Sequence, residues 1–183
     1  MVSTQAAWVG LGPGEAYADR KESVLFGRFR APIGALATPY LRPSEAGNRA
    51  EVARAAFSGG GLALSVTRDA PFDLGARRAS PEAVAAARHA HELRDGPGVF
   101  AHLDHRLMGV GGDDSWTACV HDEFLVRPPS VDRPDAFAFR FSARAAGEGD
   151  PLDEGEAGPP LFVSYVYWEA GAIATVAEEH LQS

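Results

Sequence analysis

The chain has a single cysteine, Cys119, in 183 residues, so no internal disulfide can staple it and a packed core must hold it. A lone thiol of this kind is expected as a small buried hydrophobe, and the lack of a disulfide framework favours the cytoplasm. Long apolar runs are also missing: nothing approaches the eighteen or so residues that read as a membrane span. Met1–Gln5 has neither the basic segment nor the apolar stretch that opens a secretory leader. Positive charge is scarce. Against 25 acidic residues stand 17 basic ones, among which only Lys21 is lysine, and the net charge is −8. Nucleic-acid binders concentrate cations to displace counterions, so neither nucleic acid nor membrane is expected as a partner.

A sustained period of 3.6 is absent from Trp8 to Asn48, where turn signals crowd instead: Gly12-Pro13-Gly14, Ala31-Pro32, Thr38-Pro39, Arg42-Pro43 and Gly47-Asn48. That stretch is expected to be irregular and ordered only by packing on something else. Beyond it the apolar residues alternate. Leu62, Leu64 and Val66 share one face, as do Val99, Ala101 and Leu103, and Phe137, Phe139 and Phe141 give the clearest case. Phe124 and Val126 suggest another short strand, and Leu161 to Trp168 a further one. One helix is expected, with Ser80 as N-cap, Pro81 at N1, Glu82 at the positive end and Ala83 to Leu93 following. His89 and His91, two apart on it, would not share a face. Residues 145–160 are rich in Gly, Pro and acid and read as a loop or linker; residues 170–181 fit either element. These spacings suit an all-β, antiparallel sandwich with one short helix, in a chain long enough for one sizeable core.

The most unusual string is Gly109-Val110-Gly111-Gly112-Asp113-Asp114-Ser115-Trp116. Its glycines permit a path with positive φ, and Asp113 and Asp114 can bond the turn's own amides. Alone it reads as a tight turn with a packed indole. It is neither a phosphate cradle nor a nucleophile elbow, since no Gly-Lys-[Ser/Thr] follows and Ser115 does not sit in Gly-x-Ser-x-Gly. His102, Asp104, His105 and His121 fit no standard ligand spacing, so no metal site is expected in this chain.

Three strings together carry a resemblance. Gly10-Leu11-Gly12-Pro13-Gly14-Glu15-Ala16-Tyr17-Ala18-Asp19-Arg20 resembles the G-L-G-P-x-E-x-Y-x-D-R signature of the C-terminal domain of family 2 β-galactosidases. Thr38 to Arg49 is similar to that domain's P-Y-x-x-P-x-E-x-G-x-R stretch, and Leu103-Asp104 with Met108 to Trp116 to its L/I-D … M-G-[IV]-G-G-D-D-S-W. The sequence departs from the pattern at Ala55-Ala56, where a large aromatic usually follows Arg54.

The resemblance implies a galactose mutarotase-like β-supersandwich, incomplete on its N-terminal side, over residues 1–144, with 145–160 as linker and 161–183 as an extension. It implies a part in hydrolysing terminal β-D-galactosides such as lactose, with Trp116 in the wall of the aglycone subsite. Gly109, Gly111, Gly112, Asp113 and Asp114 would support that loop. The catalytic carboxylates and the magnesium ligands would lie in a TIM-barrel domain, for which 183 residues without a βα repeat are too few. No catalytic residue and no cofactor is therefore expected here; the implied partners are the catalytic domain or large subunit, a galactoside, and further copies in an oligomeric enzyme. A free-standing carbohydrate-binding or mutarotase-like sandwich is the competing reading. Glu15, Asp19 and Arg20 are expected to brace a loop through an ion pair, and Glu45 to form a charge clamp with Arg42 and Arg49.

Overall fold

The computed structural model describes residues 4–113, 116, 119–128, 136–153, 162–169 and 172–178, the last two segments by their backbone. Eight strands join in one antiparallel sheet: β1 (Gln5–Gly12), β2 (Leu25–Pro32), β3 (Arg49–Gly59), β4 (Leu62–Arg77), β5 (Phe100–Asp104), β6 (Ala136–Ala145), β7 (Phe162–Glu169) and β8 (Ala172–Glu178). Their order is β2-β1-β3-β4-β6-β7-β8, with β5 pairing the far half of β4. The all-β class read from the alternating segments holds, and among the described residues almost no helix accompanies it.

Two of these strands lie where an irregular stretch was expected. β1 hides its period because both of its faces are covered. Trp8 packs on one side with Ala55, Val66, Phe72 and Phe139, while Ala7 packs on the other with Ala56 and Leu152. A strand buried on both faces loses the alternation that marks a half-exposed one. β2 is an edge strand whose Phe29 and Ala31 turn to the core and whose Arg28 and Arg30 are exposed, with Pro32 at its end, a position that needs no ladder donor. Burying Trp8, Val52, Val66, Phe72 and Leu74 to 1% exposure or less contributes roughly 1.5–3 kcal/mol for each aliphatic or Phe side chain.

Three further expectations need correction. The helix α1 spans only Pro81–Ala86; Ser80 caps it by accepting from the Ala83 amide at 3.2 Å, and Ala87 leaves the helix in an extended conformation. His89 and His91 therefore lie outside it, and their rings stack with centroids 5.5 Å apart. The strand expected at Phe124–Val126 is a 3-10 turn over Asp122–Phe124, because the Phe124 and Leu125 amides bond back to His121 and Asp122 instead of to a ladder. Cys119 is exposed. Within the acidic stretch, Leu152 is buried against Ala7 and Ala56, the Ser65 hydroxyl donates to the Pro151 carbonyl, and Arg28 pairs with both Asp150 and Asp153. The described part of this stretch after β6, residues 146–153, is a loop packed on the sheet, while 154–160 lie outside the described residues.

Candidate functional site

The site forms at the end of the sheet where β1 finishes and β2 begins, since Gly12 pairs with Leu25 there. After β1 the chain makes a tight turn in which Tyr17 and Arg20 exchange both backbone hydrogen bonds, at 3.0 and 2.9 Å. The turn aims Asp19 and Arg20 at the glycine-rich loop. Asp19 accepts from the Val110 amide at 3.0 Å and the Gly111 amide at 2.7 Å, and Arg20 donates to the Gly111 carbonyl. The bracing role expected of these residues holds, but the partners are backbone groups about ninety positions away, with no ion pair between them.

Geometry explains the glycines. A Cβ on Gly109 would stand 2.5 Å from an Asp19 oxygen and 3.0 Å from Phe124 Cβ, and the Gly109 amide also bonds the Phe124 carbonyl. Gly111 has φ +62 and would press its Cβ to 3.0 Å from the Cys119 carbonyl, a conformation costly for any other residue. Gly112, φ +69, continues the same path. Asp113 reaches the ring of His121 at 2.9 Å, and the Val110 and Gly111 amides go to Asp19. Asp114 and Ser115 lie outside the described residues. Trp116 is 95% exposed, which removes the buried-indole reading.

The second string is held by buried polar groups. Asn48 donates to the Ala16 carbonyl at 2.8 Å and to Asp73 at 2.7 Å, joining the first string to β4. Glu15 accepts from the Tyr40 hydroxyl and, at 2.8 Å, from the Gly47 amide. Glu45 makes no clamp with Arg42 or Arg49; its partner is Arg77, at 2.9 Å. Arg49 is buried and donates to the carbonyls of Leu36, Gly47 and Asn48 while its guanidinium lies 5.1 Å over the Trp8 ring. Carbonyls and an indole face offset much of the cost of burying this cation without a carboxylate, although its Nε is buried with no hydrogen-bond partner among the described residues. Asn48 and Asp73 were not singled out from sequence, where Asn48 read only as a turn residue.

These contacts set the charges. Burial raises the Glu15 carboxyl, but hydrogen bonds from Tyr40, Gly47 and Thr38, with Arg49 nearby, outweigh it and hold the group below its usual range. Burial pushes Asp73 up to about 6 despite its bond from Asn48, and its cross-strand neighbour Asp104 adds to the effect. Asp104 is itself raised, chiefly by burial. Among the described residues no group of three or more His, Cys, Asp or Glu is arranged to hold a metal ion, and no helix is long and apolar enough to cross a membrane. The arrangement is a loop clamped at Val110 and Gly111 with an exposed indole at Trp116, and among the described carboxylates Glu15, Asp19 and Asp73 are committed to structural hydrogen bonds.

The family described as beta galactosidase small chain matches residues 2–141. The chain is 41% identical to a beta-galactosidase of Erwinia tasmaniensis over 126 residues, 69% of this chain and 12% of the relative. It is 39% identical to one of Vibrio cholerae over 123 residues, 67% and 11% respectively, and 37% identical to one of Pseudoalteromonas haloplanktis over the same length. The match therefore spans only 11–12% of the length of these relatives. All three strings, from Gly10 to Trp116, fall inside the matched residues, and the chain belongs to the beta galactosidase small-chain family.

Proposed function

We propose that this chain is the C-terminal accessory domain of a β-galactosidase acting on terminal β-D-galactosides such as lactose, and that it supplies part of the aglycone-subsite wall. The observation that carries the reading is Trp116, 95% exposed, a few residues after Val110 and Gly111, whose backbone Asp19 and Arg20 hold. An exposed indole normally costs hydrophobic free energy; on a braced loop it is pre-organised to stack on the apolar C–H face of a sugar. Such a platform adds contact area without imposing one hydrogen-bond pattern, which suits a site that receives varied leaving groups.

Hydrolysis with retention uses two carboxylates about 5 Å apart, one acting as acid and base and the other as nucleophile. Three described carboxylates near this loop are otherwise engaged: Glu15 accepts two hydrogen bonds, Asp19 accepts from two amides, and Asp73 accepts from the Asn48 amide. The acid, the nucleophile and the magnesium ligands belong, in this reading, to the catalytic domain or large subunit, with which the chain works in the cytoplasm as part of an oligomer. What this chain contributes is orientation of the second sugar and exclusion of water at the mouth of the site.

The test is reconstitution. The purified chain is expected not to hydrolyse a chromogenic β-galactoside, and mixing it with the large chain of its own enzyme is expected to restore turnover. Turnover by the chain alone, after rigorous removal of host β-galactosidase, would overturn the accessory role. No gain of activity on mixing would overturn the partnership.

A further inference from the structure

The face of the sheet that carries Ala7 and Val9 is covered by a segment from outside the family match. In the register, Arg30, Ala7, Ala56 and Ser65 stand in one row across β2, β1, β3 and β4, and Arg28, Val9 and Arg54 stand in the next. Residues directly opposite each other share a face. The two rows therefore form a shallow groove with two alanines at its centre, arginines at the β2 edge, and the Ser65 hydroxyl and Arg54 guanidinium as donors. After β6, Gly147 and Gly149, both at positive φ, turn the chain back over this face. Leu152, 2% exposed, sits on Ala7 and Ala56. Asp150 reaches Arg28 at 2.7 Å and Arg30 at 3.6 Å, and Asp153 reaches Arg28 at 2.8 Å. Ser65 donates to the Pro151 carbonyl at 2.9 Å, and Arg54 to the Leu152 carbonyl at 3.3 Å.

We propose that these rows are a recognition groove for a short acidic segment with one leucine, and that Asp150-Pro151-Leu152-Asp153 fills it in cis, as a strap that keeps this face of the domain closed. The function argued above is not needed for this inference. Three observations choose the occupant. The strap matches the groove in kind: its acids meet arginines, its carbonyls meet donors, and its leucine lies where two facing alanines leave room. The groove residues fall within the matched residues 2–141 and the strap falls beyond them, so the cover is an addition to the matched part of the fold. The tether is short, since only residues 146–149 separate the end of β6 from Asp150, and the Ala146 amide is itself held by the Gly61 carbonyl at 2.8 Å. Such a tether gives the strap an effective concentration on the order of millimolar, and an acidic segment of any other molecule must displace it.

The full chain is titrated with a synthetic peptide of residues 148–153, Glu-Gly-Asp-Pro-Leu-Asp, and followed by amide NMR up to about 2 mM, the range of a short tether's effective concentration. Wild type should show no shifts, because the groove is filled. Leu152→Asp, checked for folding by circular dichroism, should show saturable shifts at Arg28, Ala7 and Ala56. A peptide with the leucine replaced by aspartate should give none. Arg28→Gln removes both ion pairs at the β2 edge without touching a buried side chain. It should quicken exchange of the Leu152 and Asp153 amides, each held by Asp150 at 3.0 Å, by about three- to tenfold, the scale of two exposed ion pairs. That difference should shrink at high salt. A folded Leu152→Asp chain that ignores the peptide would show that the strap is held by its connection and not recognised. Peptide shifts on wild type with the strap amides still protected would show that the strap does not fill the groove. A wild-type dimer in sedimentation that Leu152→Asp dissolves would assign the groove to the strap of a second copy and overturn its occupation in cis. If Leu152→Asp does not fold, Arg28→Gln decides: unchanged exchange at both amides would overturn the proposal.

Discussion

Removing the Asp19 carboxylate should release the glycine-rich loop without unfolding the sheet. In Asp19→Ala the Val110 and Gly111 amides, now held at 3.0 and 2.7 Å, lose their acceptor. Hydrogen bonds to a charged group contribute roughly 1.5–3 kcal/mol each, and part of this is recovered when water replaces the carboxylate. A local cost of about 2–4 kcal/mol follows. The core is untouched, since Trp8, Val52 and Leu74 pack elsewhere, so the opening is local and not global. At about 1.4 kcal/mol per factor of ten, amide exchange at Val110 and Gly111 should quicken by about thirty-fold to several hundred-fold. Amides of β3 and β4 should keep their protection. In the assembled enzyme the variant should bind lactose more weakly, in the same direction as loss of Trp116, because an indole on a loose loop must be ordered at binding. Unchanged exchange at both amides would refute the clamp. Equal loss of protection throughout the sheet would show that Asp19 serves the fold and not the loop.

Two further outcomes concern the framework. Trp8→Ala should cost the domain about 3–5 kcal/mol in urea denaturation, the range for a large buried aromatic, because it also strips the indole from beneath Arg49. For Asp73, raised to about 6 from an unfolded value of about 3.9, the folded protein holds the proton more tightly, so this group's contribution to stability rises as pH falls through 6 and levels off below 4. Asp73→Asn keeps an acceptor for Asn48 and should stabilise the domain by about 1–2 kcal/mol at pH 7.5, with the advantage shrinking by about 1 kcal/mol at pH 5. Melting curves of both proteins at the two pH values measure it, and an advantage that grows on acidification would contradict the sign.

The legible parts of this fold are those where one face is buried and the other wet. Phe137, Phe139 and Phe141 announced β6, and Ser80-Pro81-Glu82 announced the start of α1. β1 escaped because small residues and a Trp fill both of its faces, and the end of α1 escaped because Ala83 to Leu93 contains no breaker although Ala87 turns extended. The chemistry of the site was legible as three strings but not as one place. Nothing in the spacing shows that Asp19 meets Val110 and Gly111, or that Glu45 leaves Arg42 and Arg49 for Arg77. Those pairings depend on the sheet register that brings β1, β3 and β4 side by side. Trp116 shows the reverse case, since its residue type favours burial and yet it is 95% exposed.

The central claim, that this domain presents Trp116 to the second sugar, is tested most directly by Trp116→Ala in the assembled enzyme. Lactose affinity should fall by about 1–1.5 kcal/mol, roughly five- to twelve-fold, the scale of one aromatic contact. Galactose affinity should hardly move. Because the side chain is 95% exposed, the melting free energy of the domain should stay within about 0.5 kcal/mol of wild type. Equal weakening of lactose and galactose, or a collapse of stability with no selective loss of lactose, would contradict the account.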